Sequence, residues 1–245
     1  MASRTAWIML FLCGTAAASE PPADRTKVRI VLAGDSTVTD DAGWGKGFAN
    51  LLMGDVEVVN LAKGGRSSKS YRAEGWWKKC LELKPNYILI QFGHNDQPGK
   101  GPERETDPET TFRENIIRYV DEARAVGAIP IVVTSLSRRQ WGKDGKIQST
   151  LVPYVESVKK LAAERNAPLI DLHARSIELY EKMGREGCLE ISPRTEKNGV
   201  DGTHLNARGA EVIAPLVANE LRRAVPALAQ FVPPDSVAPV RPDTK

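Results

Sequence analysis

Five short runs of almost unbroken apolar residues set the strongest limit on what this chain can become. They are "VRIVLA" (28–33), "VEVVNL" (56–61), "YILIQF" (87–92), "IPIVVT" (129–134) and "APLIDL" (167–172). Each is too short for a helix and too apolar for a strand wetted on one side, so each predicts a strand covered on both faces. Helical patterns alternate with them, at roughly 45–53, 67–83, 109–126 and 151–165, with another at 206–223 after the last strand. In the third, Phe112, Ile116, Tyr119, Val120 and Ala123 share one face, and "DPET" supplies a start signal. The alternation predicts an α/β fold, a three-layer α/β/α domain around a parallel sheet of about five strands joined by right-handed crossovers. At 245 residues and 41% hydrophobic, the chain can bury one sizeable core, and neither a repeat nor a linker divides it.

In an open parallel sheet the working crevice lies at the carboxyl ends of the strands. The segments expected there are "GDST", "AKGGRSS", "GHND" and "SLSRRQWGKDGK", with "DGTHLN" before the last helix. Ser36 follows the first strand directly. Alone it reads as a turn or capping residue, because a serine hydroxyl becomes nucleophilic only beside a base. Beyond the N-terminal segment the bases of suitable pKa are His94, His173 and His204. His173 is expected to be an ordinary exposed or supporting residue. His204 lies three residues after Asp201, close enough for a carboxylate to orient one ring nitrogen while the other faces Ser36. Read alone, "DGTH" is equally a glycine turn. An acyl-transfer site also needs oxyanion donors, and the backbone N–H groups of Ser36 and Gly65 and the Asn95 amide are candidates. Gly65 and Asn95 are individually also ordinary turn residues.

Rival motifs are weaker. "GWGKG" (43–47) does not follow a strand directly and reads as a turn feeding a helix, and "SVKK" (157–160) falls in mid-helix. There is no Gly-x-Ser-x-Gly elbow and no zinc-ligand spacing.

Taken together, "GDST", Gly65 in "GGRSS", Asn95 in "GHND" and His204 in "DGTHLN" resemble the ordered blocks of the SGNH, or GDSL-type, hydrolases, over about residues 28–223. "GWGKGF", "GGRSSKSY", "FGHND" and "RRQWGKDGKI" resemble more narrowly the rhamnogalacturonan acetylesterases. The resemblance implies a flavodoxin-like fold and removal of acetyl groups from pectic sugars with no cofactor and no metal. It also implies Ser36 as nucleophile, His204 as general base and then acid, Asp201 as its orienter, and Ser36, Gly65 and Asn95 as the oxyanion hole. Asp35 and Asp96 are expected to shape their loops through hydrogen bonds to backbone N–H groups. Two alternatives stay open: another SGNH-type esterase acting on lipid, thioester or other acylated glycans, and a non-catalytic carbohydrate-binding protein.

Basic residues gather in the loop after the fourth strand. Arg138, Arg139, Lys143 and Lys146 surround one Asp144, with Trp141 among them. We expect Arg138, Arg139 and Trp141 to bind substrate, the charges attracting an acidic polysaccharide and the indole stacking on a sugar. Over the whole chain, 34 basic and 31 acidic residues nearly balance, so bulk charge does not call for nucleic acid or an anionic membrane. A monomer acting on an acetylated polysaccharide or oligosaccharide is expected.

Residues 1–19 combine an early Arg4, an apolar run from Ala6 to Leu12 and a small-residue cluster, the layout of a signal peptide. That implies a secreted or periplasmic protein, with residues 20–27 as linker, 28–225 as the hydrolase domain and 226–245 as a proline-rich flexible tail. An anchor on Cys13 fits poorly with bulky Leu12 before it. Cys80 and Cys188 are free to pair or to remain thiols.

Overall fold

The computed structural model describes residues 27–197 and 199–234. The expected leader, almost all of the linker and residues 235–245 lie outside the described residues. Five parallel strands, β1 (Val28–Gly34), β2 (Val56–Asn60), β3 (Tyr87–Gln91), β4 (Ile129–Val133) and β5 (Leu169–Ile170), form one sheet in the order β2-β1-β3-β4-β5. The helices are α1 (Gly45–Leu51), α2 (Ser68–Ala73), α3 (Trp76–Glu82), α4 (Thr111–Ala125), α5 (Val152–Glu164), α6 (Leu172–Glu190) and α7 (Ala207–Ala224).

Strand periodicity divides the core in two. Ile30 and Leu32 of β1 point into a layer with Phe48, Tyr180, Val217 and Leu221, from α1, α6 and α7. Val31 and Ala33 point the other way, to Trp77, Phe112, Tyr119, Val158 and Leu161, from α3, α4 and α5. With both faces covered, the middle positions of the central strands, residues 30–33 of β1 and 88–90 of β3, are apolar on both sides, which is why the runs read as continuous rather than alternating. Cys80 sits in one layer and Cys188 in the other, and both are buried free thiols.

Several expectations need correction. The helix expected over 67–83 is two helices, interrupted at Gly75, whose φ of 80° leaves helical geometry. The fifth run yields a strand of only two residues, because Asp171 accepts a hydrogen bond from the Ala174 N–H at 3.3 Å and caps a helix that starts at Leu172. That helix, α6, was not expected from the sequence. His173 therefore lies in its first turn, 5% exposed, and is not a surface residue. Beyond residue 225 the chain stays packed: a 3₁₀ helix covers Pro226–Phe231, Leu228 and Val232 are buried, and the Met53 N–H donates to the Phe231 carbonyl. Burial of those apolar side chains keeps this segment out of the expected tail.

Candidate active site

The turn after β1 presents Ser36 at the carboxyl edge and fixes it from beneath. Asp35 is fully buried, and its Oδ1 accepts the Thr37 N–H at 2.9 Å and the Thr37 hydroxyl at 2.7 Å. Thr37 in turn accepts from the Gln91 amide at 2.7 Å, and the Trp44 indole N–H donates to Gln91 at 3.0 Å. This buried relay joins β1, β3 and the start of α1, so the turn cannot shift without breaking hydrogen bonds that water does not replace. Burial raises the Asp35 pKa, but the opposing charge and contact of His94, 3.5 Å away, with the two Thr37 bonds, hold it below the usual range.

Ser36 is not capping a helix. Its Oγ lies 2.8 Å from His204 Nε2, across 168 positions of sequence. His204 Nδ1 lies 2.7 Å from Asp201 Oδ2, and Asp201 Oδ1 accepts the N–H groups of Thr203 at 2.7 Å and His204 at 3.0 Å. Burial pushes the Asp201 pKa up, but these bonds, led by the His204 ring, bring it below the ordinary value. An ionised Asp201 therefore accepts from Nδ1–H and leaves Nε2 free to take a proton from Ser36.

Arg139 holds this second loop from below. It is 6% exposed, and its guanidinium donates to the carbonyls of Asp201 and His204, to Ser192 Oγ and to the Tyr180 hydroxyl. Its own N–H donates to the Gly202 carbonyl at 2.7 Å. The expectation that Arg139 binds substrate is thus corrected, since its planar fork is used up inside the protein. Arg138 is half-buried and likewise turns to protein: it donates to Gln97 Oε1 at 2.7 Å, to Thr150 Oγ1 at 3.2 Å and to the His94 carbonyl at 3.5 Å. Lys146 is paired with Glu181 at 2.9 Å. Of the residues expected to bind substrate, Trp141 alone lies half-exposed beside open clefts.

The expected oxyanion donors come from the loops after β1, β2 and β3. A Cβ on Gly64 would lie 3.7 Å from that of Ser36, so the glycine loop passes against the serine. Asn95 is 8% exposed, and its Nδ2 donates to the Arg66 carbonyl of the same loop at 3.2 Å. Asp96 locks the two loops together, accepting from Ser68 Oγ at 2.6 Å, the Ser68 N–H at 3.1 Å and Thr106 Oγ1 at 2.8 Å. Burial lifts its pKa to about 7 against the pull of these bonds. A cleft of about 350 Å³ opens beside Ser36, lined by Thr39, Asp40, Asp41, Asn60 and Lys63. The sequence reading missed Thr37 and Gln91 as supports of the serine turn. The threonine of "GDST" was the available signal.

A doubly covered parallel sheet carrying Ser36, His204 and Asp201 in hydrogen-bonded line at its carboxyl edge defines the protein as a serine-type ester hydrolase. Residues 31–212 match the model of the GDSL-like lipase/acylhydrolase family, and the chain belongs to that family. It is 40% identical over 208 residues to rhamnogalacturonan acetylesterase RhgT of Bacillus subtilis, covering 78% of this chain and 88% of that protein. The probable rhamnogalacturonan acetylesterase YesY of the same organism is 35% identical over 202 residues, 79% of this chain and 92% of the relative. Among solved structures, protein YxiM of B. subtilis superposes with a TM-score of 0.71 at 29% identity, over 84% of this chain and 58% of that longer one.

Proposed function

We propose that the protein removes O-acetyl groups from a plant cell-wall polysaccharide, with rhamnogalacturonan as its principal substrate, through an acetyl-enzyme on Ser36. The observation that carries this reading is the short Ser36–His204–Asp201 line, at 2.8 and 2.7 Å, in a chain whose relatives are named for that reaction. His204 Nε2 takes the hydroxyl proton as Ser36 Oγ attacks the acetyl carbonyl. The N–H groups of Ser36 and Gly65 and the Asn95 amide hold the developing oxyanion. The ester carbon–oxygen bond breaks and the sugar hydroxyl departs with the proton from His204. Water then attacks the acetyl group by the same route and frees acetate and Ser36. Residues 1–19, as a leader, would deliver the enzyme outside the cytoplasm, where such polymers are found.

The polar lining of the cleft beside Ser36 favours a sugar over a long acyl chain, the substrate of a lipase-like alternative. The test is acetate release from acetylated rhamnogalacturonan, acetylated xylan and p-nitrophenyl acetate, with turnover of long-chain p-nitrophenyl esters alongside, by wild type and Ser36→Ala. Wild-type release, strongest from rhamnogalacturonan and lowered by about 10³-fold or more in the variant, is expected. Release that is preferential for xylan reassigns the polymer, and preference for long-chain p-nitrophenyl esters overturns the acetylesterase reading.

A further inference from the structure

Trp141 stands at the base of a short hairpin, bridged to Ile147, and a second hairpin pairs Arg194 with Val200 just before Asp201. Between them runs the last part of α6. That helix is broken at Gly184, whose φ of 69° and ψ of 177° suit a residue without a side chain. The break turns Arg185 toward the first hairpin. Its guanidinium lies 5.6 Å from the centre of the Trp141 ring and donates to the Gly142 carbonyl at 2.6 Å.

Together these elements enclose a cleft of about 290 Å³, lined by Trp141, Arg185, Leu189, Val200 and Gly202 above buried Arg139. Gly202 is two residues from His204, so the cleft reaches within roughly 7 Å of chain from the base. Arg185 is set apart by the ring and carbonyl that hold it in the cleft. Among the described residues no carboxylate lies within 4.0 Å of the Arg185 guanidinium, as is also true of exposed Arg118, Arg124, Arg194 and Arg222, but of these five Arg185 alone lines this cleft beside Trp141. Its charge meets only a neutral carbonyl and a ring face.

We infer that this cleft is a subsite for an acidic sugar, a uronate two or so residues along the polymer from the acetylated one, with its carboxylate on Arg185 and its ring against Trp141. The inference rests on the polysaccharide reading above for its place in the reaction, but its chemistry is that of the cleft alone: a platform of indole with an unneutralised fork of N–H donors at its edge. It replaces Arg138 and Arg139 as the source of acid recognition.

The test uses unacetylated oligogalacturonate as an inhibitor of p-nitrophenyl acetate turnover, in wild type, Arg185→Gln and Lys143→Gln. The wild type and Lys143→Gln should be inhibited alike. Arg185→Gln should need roughly tenfold more inhibitor, and about 0.5 M salt should narrow the gap. In parallel, the ratio of kcat/KM on acetylated rhamnogalacturonan to that on p-nitrophenyl acetate should fall about tenfold in Arg185→Gln, through KM. Equal inhibition of wild type and Arg185→Gln overturns the subsite, even if acetate release from rhamnogalacturonan is normal. Absence of that release in the wild type, with Arg185-dependent inhibition retained, overturns the polymer assignment and leaves the subsite standing.

Discussion

The two halves of the active site are held in different ways. On the nucleophile side, Asp35, Thr37, Ser68 and Asp96 have no exposed surface and form two polar groups inside the core, Asp35 with Thr37 and Asp96 with Ser68. On the base side, the His204 and Asp201 side chains remain 33% and 29% exposed, and the loop is fixed through its backbone carbonyls by one buried cation, Arg139. The difference follows from what each half has to do. Oxyanion donors work only if they are already in place when charge develops, so their supports belong where no water competes. A general base must gain and lose a proton in each step, so its ring stays near solvent while its main chain is pinned.

That contrast predicts a ranking. Asp201→Asn should cost the most, about 10³-fold or more in kcat, because the amide no longer requires Nδ1 to carry the proton and Nε2 stops being a dependable acceptor. Its melting temperature should fall only modestly, since the amide oxygen still accepts the Thr203 and His204 N–H groups while the carboxylate's bond to the His204 ring is weakened. Asn95→Ala should lower kcat by roughly 10²- to 10³-fold with KM nearly constant, the signature of a donor used mainly in the transition state. Arg139→Lys keeps the charge but cannot span two carbonyls, and should cost about 1–3 kcal/mol in stability and roughly tenfold in kcat. A variant that melts early yet retains full kcat would show that the base loop holds itself, and the proposed contrast would collapse. A raised KM for acidic polymer alone would return Arg139 to substrate binding.

The sequence made the nucleophile side far easier to read than the supports of the base side. Ser36 and His204 are 168 positions apart, yet both were legible, Ser36 because it directly follows a strand of a parallel sheet and His204 because Asp201 precedes it by three residues. The burial of Arg139 left no such trace. Its partners are carbonyls of Asp201 and His204, and a backbone acceptor looks the same at every position, so a buried clamp and a surface charge are spelled alike. Helix α6 was hidden for a different reason. Gly184 breaks it, Gly187 lowers its helical propensity, and Glu178, Glu181, Lys182, Arg185 and Glu186 thin its apolar stripe, so neither length nor periodicity stood out. Its first residue, Leu172, also completed the apolar run that suggested a longer strand. The cleft formed by Arg185 and Trp141 depended on that unread helix and could not be found without it.

The mildest prediction probes the buried network by pH. Asp96, with its pKa lifted to about 7 in the fold, holds a proton between pH 4 and 7 that the unfolded chain has released. Its contribution to stability is therefore complete below about pH 4 and is lost as pH rises through 7. Buried His173, with its pKa lowered by burial, works in the opposite direction, since the unfolded chain binds the proton there and stability rises with pH. Asp35 and Asp201, both lowered, lose their contributions only under acid conditions and stay constant across this window. The informative quantity is thus a difference: the change in melting temperature from pH 5 to pH 8 in wild type, minus that in Asp96→Asn. A fall of several degrees that disappears in the variant is expected, at roughly 2–4 °C per kcal/mol for a domain of this size. Identical pH profiles would mean that the Ser68 and Thr106 donors keep Asp96 ionised throughout, making the nucleophile side a fixed negative network under Asn95.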